Sequence, residues 1–231
     1  MPKVDVVTVK RLPQYHQILQ KMKQRGREYV SSEQLARLLK VDPSLVRKDL
    51  ACMMTGVQKL GYPVHLTMKK IEDLLGMRNT KEAFLAGAGS LGQALMAYTG
   101  FKQYGLKIAA AFDADPAIAG KIVNGIEVLP AEKLADLISR MNIKIGIIAV
   151  PTDVAQEVAD LMVKAGVLAI WNFAPVILHA PDYVIVRNEN LAAEYAKLSY
   201  KLEQSLCRRS EVNENYVFEQ TDGEPALPEG K

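Results

Sequence analysis

The sequence predicts an α/β protein in which an N-terminal winged helix precedes a doubly wound parallel sheet of the Rossmann type. Three observations lead to this prediction. Two short helices joined by a tight turn come first, a glycine-rich turn at residues 87–92 separates a strand from a helix, and apolar strands then alternate with helices. We expect domains at residues 1–80 and 81–188, a helix at 189–207 and a disordered tail at 208–231.

The composition is that of a globular protein with an uneven charge distribution. Of 231 residues, 49% are hydrophobic, which suffices for two modest cores. Residues 1–80 hold fifteen Lys and Arg against seven Asp and Glu, whereas the remainder holds fourteen against nineteen. The basic segment is a candidate for binding a polyanion, although a merely solvated basic face would have the same composition.

Cysteine content and hydropathy indicate the compartment. Cys52 and Cys207 are too few for a disulfide framework and belong to no Cys/His cluster, so no metal site is predicted. The N-terminus lacks the apolar core of a signal peptide, and the most apolar stretch, residues 167–178, is too short to span a bilayer. We therefore expect a cytoplasmic protein with no membrane association.

The first 50 residues contain three predicted helices. Residues 1–10 are expected to be extended, and Pro13 fits the first turn of a helix that ends near Gly26. Ser31 is a capping residue for the second helix. A short turn leads to Pro43, which suits the first position of the third helix. The second and third helices form a helix-turn-helix.

The third helix has the side chains of a recognition helix. It exposes Ser44, Arg47 and Lys48, and arginine or lysine can reach guanine acceptors or phosphates in a major groove. Residues 56–64 follow, with Lys59 between two glycines, and could form a β-wing. These features favour double-stranded DNA as a partner. A helical interaction module without DNA is the alternative.

The glycine-rich turn has the spacing of a dinucleotide site. Gly87 suits the tight bend, Gly89 lets backbone approach a pyrophosphate, and Gly92 lets helix and strand pack closely. The phosphates are then expected on the N–H groups of the helix N-terminus, at Ser90 and Leu91.

An acid ends the next predicted strand, residues 107–112. Asp113 stands about twenty residues after the glycines, where a carboxylate meets the adenosine ribose hydroxyls and favours NAD over NADP. Beyond it we expect a hairpin, then alternating helices and strands, and finally a long helix: residues 121–130, 131–141, 145–150, 155–165, 167–171, 183–186 and 191–206.

Several short motifs occur in combination over nearly all of residues 8–206. They are Arg11-Leu12-Pro13, Ser31-Ser32, Val46-Arg47-Lys48-Asp49-Leu50, Gly61-Tyr62, residues 87–92, Phe112-Asp113-Ala114-Asp115, Val150-Pro151, Asn172-Phe173-Ala174-Pro175 and Leu198-Ser199-Tyr200. In this combination the chain resembles the Rex family of bacterial redox-sensing repressors.

The resemblance implies a homodimer whose last helix is exchanged between subunits. It implies binding to a near-palindromic operator, governed by the balance of NADH and NAD⁺. It also places further residues at the NAD(H) site: Tyr98, Val150, Pro151, Asn172, Phe173, Ala174 and Pro175. In the family, an arginine, a tyrosine and the partner's aspartate form a switch, and we match these to Arg11, Tyr98 and Asn190.

Two departures from the family pattern carry expectations of their own. The wing segment, residues 51–62, is one residue shorter and poorer in glycine, so we expect a differently shaped wing and a different preferred operator. Asn190 replaces the family's aspartate and cannot form a charge-assisted pair with a guanidinium. We therefore expect a weaker or different redox response.

Two other classes of function stay open from the sequence. Tyr98 and Lys102 have the Tyr-x-x-x-Lys spacing of short-chain dehydrogenases, in which lysine lowers the tyrosine pKa. They follow the first helix of the fold, however, and not the later helix usual for that family, so no catalytic residue is predicted. Alternatively, NAD(H) could serve only to hold the fold of a DNA-binding protein.

Overall fold

The first part of the chain is a small helical unit with a two-stranded ribbon. The computed structural model describes residues 4–79 and 81–221, with side chains described as far as residue 207. The helices and strands of the first part are α1 (Val6–Gln24), β1 (Tyr29–Val30), α2 (Ser32–Leu39), α3 (Pro43–Ala51), β2 (Tyr62–Pro63) and α4 (Val64–Leu75). They enclose one apolar core, in which Tyr15, Leu35 and Leu50 are fully buried.

Capping residues fix the starts of α2 and α3. Ser31 forms a capping box with Gln34, since each side chain accepts the backbone N–H of the other residue. Asp42 accepts the N–H of Ser44, with Pro43 at the first helical position. The predicted helix-turn-helix is confirmed at both starts.

Helix α1 begins earlier than predicted. Asp5 caps it, so residues 6–10, expected to be extended, are helical, and Pro13 lies inside the helix and not in its first turn. An internal proline costs about 3 kcal/mol. Leu12 and Tyr15 are fully buried on either side of it, and each contributes about 1.5–3 kcal/mol of burial. Tertiary packing therefore outweighs the local preference.

The wing is short. Beyond α3, Val57 and Gly61 form a single antiparallel bridge, and exposed Lys59 stands in the turn between them with φ of 64°. Gly61 has φ of 90°, and a β-carbon there would collide with the carbonyl oxygen of Val30. The wing therefore lies directly against the start of the helix-turn-helix.

The second part is a seven-stranded sheet. Its strands are β3 (Lys81–Ala86), β4 (Leu106–Asp113), β5 (Ile122–Val123), β6 (Ile126–Pro130), β7 (Ile145–Ile148), β8 (Ala169–Asn172) and β9 (Ile185–Asn188). Their order is β5-β6-β4-β3-β7-β8-β9, and each pair is parallel except β5 with β6. The doubly wound sheet is confirmed.

Helices cover both faces of the sheet. The helices are α5 (Ser90–Ala97), α6 (Gly100–Gln103), α7 (Leu134–Met141) and α8 (Thr152–Lys164). Phe84 and Leu85 alternate in β3, and they belong to separate cores, one packed on α7 and α8 and the other on α5 and α6. The predicted hairpin is present, but its second strand, β6, also joins the main sheet beside β4.

Helix α9 (Leu191–Thr221) follows the sheet and is longer than predicted. Residues 208–221, expected to be disordered, continue this helix, because neither glycine nor proline interrupts the sequence before Gly223. The expected disorder of residues 222–231 falls outside the described residues. Nowhere in the described chain is a helix long and apolar enough to cross a membrane.

Candidate nucleotide and nucleic-acid sites

The glycine-rich turn joins β3 to α5, and the backbone packs closely around two of its three glycines. Gly87 has φ of 94°, and a β-carbon there would collide with the carbonyl oxygen of Ala149. A β-carbon on Gly92 would collide with the carbonyl oxygen of Gly87. At Gly89, in contrast, nothing lies within 4 Å of a β-carbon position. The three glycines thus have the geometry expected for a tight bend, an open approach and a close helix contact.

A cavity of about 720 Å³ lies beside this turn. It is at the carboxyl ends of β3, β4 and β7, where the strand order reverses direction, and open α/β sheets bind ligands at this point. The turn forms one end of the cavity. Ile118, Leu134, Val154 and Leu161 line an apolar wall. A phosphate-accepting turn beside an apolar wall fits a nucleotide.

Several predicted cofactor residues meet at this cavity. Those that line it are Gly87, Gly89, Asp113, Val150 and Pro151. Ser90 and Leu91 are the first two residues of α5, and the first N–H groups of a helix have no partner inside it. They can therefore receive phosphate oxygens, while Gly92 closes the turn behind them.

Asp113 is held at the cavity wall by backbone donors. One carboxylate oxygen accepts the N–H of Ala88 at 2.6 Å, and the other accepts the N–H of Asp115 at 2.9 Å. A carboxylate has about four acceptor positions, so two ribose hydroxyls can still bind. Glu132 and Glu157 also line the cavity. This concentration of negative charge disfavours a ligand with a 2′-phosphate.

Asn172 has its side chain occupied within the protein. It is fully buried, and its amide binds the N–H and carbonyl of Ala174, the carbonyl of Val176 and the side chain of Asn188. Asn172 therefore shapes the loop that contains Ala174 and Pro175, outside the lining of the cavity. Direct contact of this loop with a cofactor stays a prediction.

Phe173 and Tyr98 lie at the two ends of a series of aromatic contacts. The ring centroids are 4.9 Å apart for Phe173 and Trp171, 5.4 Å for Trp171 and Phe101, and 4.8 Å for Phe101 and Tyr98. Phe101, Trp171 and Phe173 pack in the core shared with α5 and α6, whereas Tyr98 is exposed, and none of the four lines the cavity. Direct contact of Phe173 and Tyr98 with a cofactor stays a prediction.

The recognition helix α3 presents one polar face. Ser44, Arg47 and Lys48 are all exposed at the i, i+3, i+4 spacing, whereas Val46 and Leu50 are buried. Lys59 is exposed in the wing. The structure therefore leaves all four predicted DNA-binding residues accessible.

Arg47 makes weak contacts on this surface. Its guanidinium donates to the Ser32 hydroxyl at 3.2 Å and to Glu33 at 3.3 Å. Hydrogen bonds from its own backbone and from Ser31 and Ser32 hold the pKa of Glu33 below its usual range. Exposed pairs of this kind contribute little. Arg47 can therefore exchange Glu33 for a base or a phosphate.

Asp49, on the buried side of α3, is a residue that sequence reasoning missed. Oδ1 accepts from the Thr8 hydroxyl at 2.8 Å and from Arg11 at 2.6 Å, while Oδ2 accepts from Arg11 at 2.6 Å and from the Tyr15 hydroxyl at 2.8 Å. Burial alone would raise the pKa of Asp49, but these bonds together hold it below its usual range. An acid between the buried Val46 and Leu50 was the available signal.

Two family models match the chain, one over each of its two parts. Residues 78–176 match the family model "CoA binding domain", and residues 3–51 match "Putative DNA-binding protein N-terminus". The redox-sensing transcriptional repressor Rex of Treponema denticola is 43% identical over 192 residues, which cover 83% of this chain and 91% of the relative. This chain belongs to the Rex family.

Solved structures of the family are similar throughout. RSP in complex with β-NAD⁺ and operator DNA is 35% identical, has a TM-score of 0.83 and is matched over 98% of this chain and all of that one. RSP in complex with β-NADH is 35% identical, with a TM-score of 0.80 over 89% of this chain and 98% of that one. Both parts of the Rex fold are therefore present here.

The switch expected from other Rex proteins is not assembled within this chain. The Arg11 guanidinium is bound by Asp49, 38 residues away, and not by Tyr98. Tyr98 is 60% exposed, and Asn190 caps α9 by accepting the N–H of Ala193. Arg11 therefore anchors the recognition helix in this structure. A switch role for Tyr98 and Asn190 stays a prediction, because the exchanged helix would come from a second subunit.

Another contact joins the two parts of the chain. Gln17 of α1 donates to the Tyr104 hydroxyl, just after α6, at 3.3 Å. Among the described residues, this is the one hydrogen bond between two side chains that links residues 4–79 to the second part of the chain. No sequence pattern indicates this pair, which is separated by 87 residues.

Helix α9 shows an uncovered apolar stripe. Leu191, Tyr195, Leu198, Leu202 and Leu206 recur at three- to four-residue spacing, and each is 48–69% exposed. A helix with such a stripe needs a partner surface. That this surface belongs to the second subunit of a homodimer stays a prediction from the family resemblance.

Proposed function

We propose that this protein is a DNA-binding transcriptional repressor whose affinity for a near-palindromic operator depends on whether NAD⁺ or NADH occupies the sheet domain. It acts as a homodimer in the cytoplasm, with residues 1–80 on DNA, residues 81–188 on the nucleotide and α9 at the subunit interface. The supporting observation is the presence in one chain of an exposed basic recognition helix and a glycine-turn cavity. A Rex-family relative of nearly the same fold was solved with β-NAD⁺ and operator DNA.

The decisive experiment measures operator binding under each nucleotide. Binding sites are first selected from random DNA, and we expect near-palindromes because a two-fold dimer reads two related half-sites. Fluorescence anisotropy then gives operator affinity at saturating NAD⁺ and at saturating NADH, with coenzyme A as a third ligand. Different affinities support the redox sensor. Equal affinities would show a nucleotide that only holds the fold, and an asymmetric selected site would contradict the dimer.

Loss of Arg47 should weaken operator binding. The side chain is exposed on α3 and its contacts with Ser32 and Glu33 are replaceable. We expect Arg47→Ala to cost about 1–3 kcal/mol if the arginine reads a base. Anisotropy titrations at several salt concentrations give this value, with exposed Arg140→Ala on α7 as the control. Parental affinity in Arg47→Ala would show that α3 is misplaced on DNA.

Asp113 should make the nucleotide site selective for NADH over NADPH. With NADPH, the fixed carboxylate of Asp113 would lose the hydrogen bond to the ribose 2′-hydroxyl and would repel the 2′-phosphate. A charge-assisted hydrogen bond contributes about 1.5–3 kcal/mol, so NADH should bind about tenfold or more tightly than NADPH. Calorimetric titration of both nucleotides measures the ratio in the parent and in Asp113→Asn, with Asp73→Asn, an exposed acid of α4, as the control. Equal affinities in the parent would remove the assignment of Asp113.

Enzymatic hydride transfer is the second candidate function. Tyr98 and Lys102 are both exposed, and neither lines the cavity. We therefore expect no NADH turnover on a panel of small carbonyl compounds. Turnover that disappears in Tyr98→Phe would contradict the regulator and favour the dehydrogenase.

A further inference from the structure

A groove of about 270 Å³ lies between the end of α1, strand β1 and helix α2. Three exposed arginines line it, Arg25, Arg27 and Arg37, around Tyr29 and Leu38. We call these five residues the arginine groove. Leu38 is 57% exposed and Tyr29 is 39% exposed, so the groove combines positive charge with accessible apolar surface.

The three guanidinium groups have no acidic partner among the side chains that the structure describes. Across the described residues, none of them forms an ion pair or a hydrogen bond through its side chain. Glu28, between Arg27 and Tyr29 in the sequence, does not line the groove. Like charges gathered in one groove repel, and a bound anion would remove that repulsion.

The arginine groove is continuous with the recognition surface. Glu33 and Arg37 are four residues apart in α2 and therefore lie on the same face of the helix. Glu33 contacts Arg47 of α3 at 3.3 Å. On the other side, Tyr29 pairs with Pro63 in the ribbon that carries the wing. The groove therefore adjoins the surface formed by α3 and the wing and makes that surface larger.

We propose that the arginine groove binds backbone phosphates of operator DNA that flank the half-site read by α3. Guanidinium groups suit this ligand because their planar donors match phosphate oxygens, and Tyr29 and Leu38 can pack against deoxyribose. Such contacts fix position on the duplex without reading sequence. This inference rests on the proposed DNA-binding function and adds a second contact region to it.

The test compares two DNA duplexes and three variants of the full-length protein. One duplex carries the selected operator with about ten further base pairs, one helical turn, on each side, and the other ends at the selected site. The variants are Arg27→Gln, Arg37→Gln and the double variant. Each arginine occurs twice in a dimer, so each single variant should lower the salt-dependence slope on the longer duplex by about 1.8, and the double variant by about 3.6.

Four controls separate the groove from other effects. Arg37→Lys keeps the charge and should retain most of the slope, and Arg140→Gln on α7 should match the parent. The bases preferred in site selection should not change. On the trimmed duplex, parent and variants should bind alike.

The outcomes distinguish this inference from the proposed function. A parent that binds no selected DNA would contradict the proposed function itself. The parent could instead bind both duplexes while the double variant has the same salt-dependence slope as the parent on the longer duplex. That result would show that the arginine groove does not contact DNA, and a different anionic partner would then have to be sought. An equal loss on both duplexes would also overturn it, because the contact would then lie within the half-site.

Discussion

Valine in place of Gly89 is expected to abolish NAD(H) binding while the protein stays folded. The backbone at Gly89 has φ of −66°, which any residue adopts, and no atom lies within 4 Å of a β-carbon there. The β-carbon of the new side chain therefore fits without displacing other parts of the protein. It enters the space through which phosphate oxygens must approach the N–H groups of Ser90 and Leu91. Two lost charge-assisted hydrogen bonds would weaken binding more than about 100-fold.

The neighbouring residues supply the controls for Gly89→Val. Ala94 is exposed on α5, so Ala94→Val places the same side chain on the adjoining helix away from the turn and should bind NADH like the parent. Gly92→Val should instead disrupt the turn, because its β-carbon would collide with the Gly87 carbonyl. Titration of NADH followed by nucleotide fluorescence gives the affinities. Parental affinity in Gly89→Val would mean that the dinucleotide does not pass over this turn.

Local signals explain which parts of this structure the sequence could predict. Ser31, Asp42 and Pro43 act within one helical turn, so the starts of α2 and α3 follow from adjacent residues. The roles of the glycines in the β3–α5 turn also depend on nearby backbone, and the structure reproduces their geometry. Sequence reasoning failed at Pro13, where burial of residues far apart in sequence overrode a local rule.

Contacts between distant residues explain what was missed at the sites. Asp49 meets Arg11 across 38 residues, and Gln17 meets Tyr104 across 87. No periodicity or spacing links such pairs. The family resemblance predicts that Arg11 belongs to a redox switch. A motif match identifies residue types, however, and does not show which side chain each residue contacts. Asn190 depends further on a second subunit, which one sequence cannot position.

Replacement of Asp49 by asparagine is expected to destabilise the DNA-binding part and abolish operator binding while NADH binding persists. The carboxylate accepts four hydrogen bonds, two of them from Arg11. An asparagine carbonyl can accept some of these bonds, but its amide nitrogen is a donor and would face the donors of α1. Breaking a buried pair by removing one charge costs about 3–5 kcal/mol. Since Asp49 attaches α3 to α1, the recognition helix loses its position.

Thermal unfolding of the full-length protein measures this loss, together with NADH titration as a readout of the intact sheet domain. Asp73→Asn is the matched control, because Asp73 is an exposed acid of α4 whose ion pair with Arg78, at 3.4 Å, lies at the surface. It should leave both readouts unchanged. Arg11→Ala combined with Asp49→Asn should cost less than the sum of the two single changes, since both remove the same contact. Unchanged operator binding in Asp49→Asn would show that the network does not position α3.

The pH dependence of stability provides an independent check on Asp49. Its pKa is held below the usual range in the folded protein. A carboxylate with a lowered folded pKa contributes stability above its unfolded pKa of about 3.9, and this contribution is lost as pH falls through the folded value. Unfolding of the DNA-binding part should therefore become easier below about pH 4 in the parent. Asp49→Asn lacks the titrating group, so its stability, lower at neutral pH, should fall less steeply over the same range. Equal slopes for parent and variant would mean that Asp49 gains nothing from Arg11, Thr8 and Tyr15 on folding.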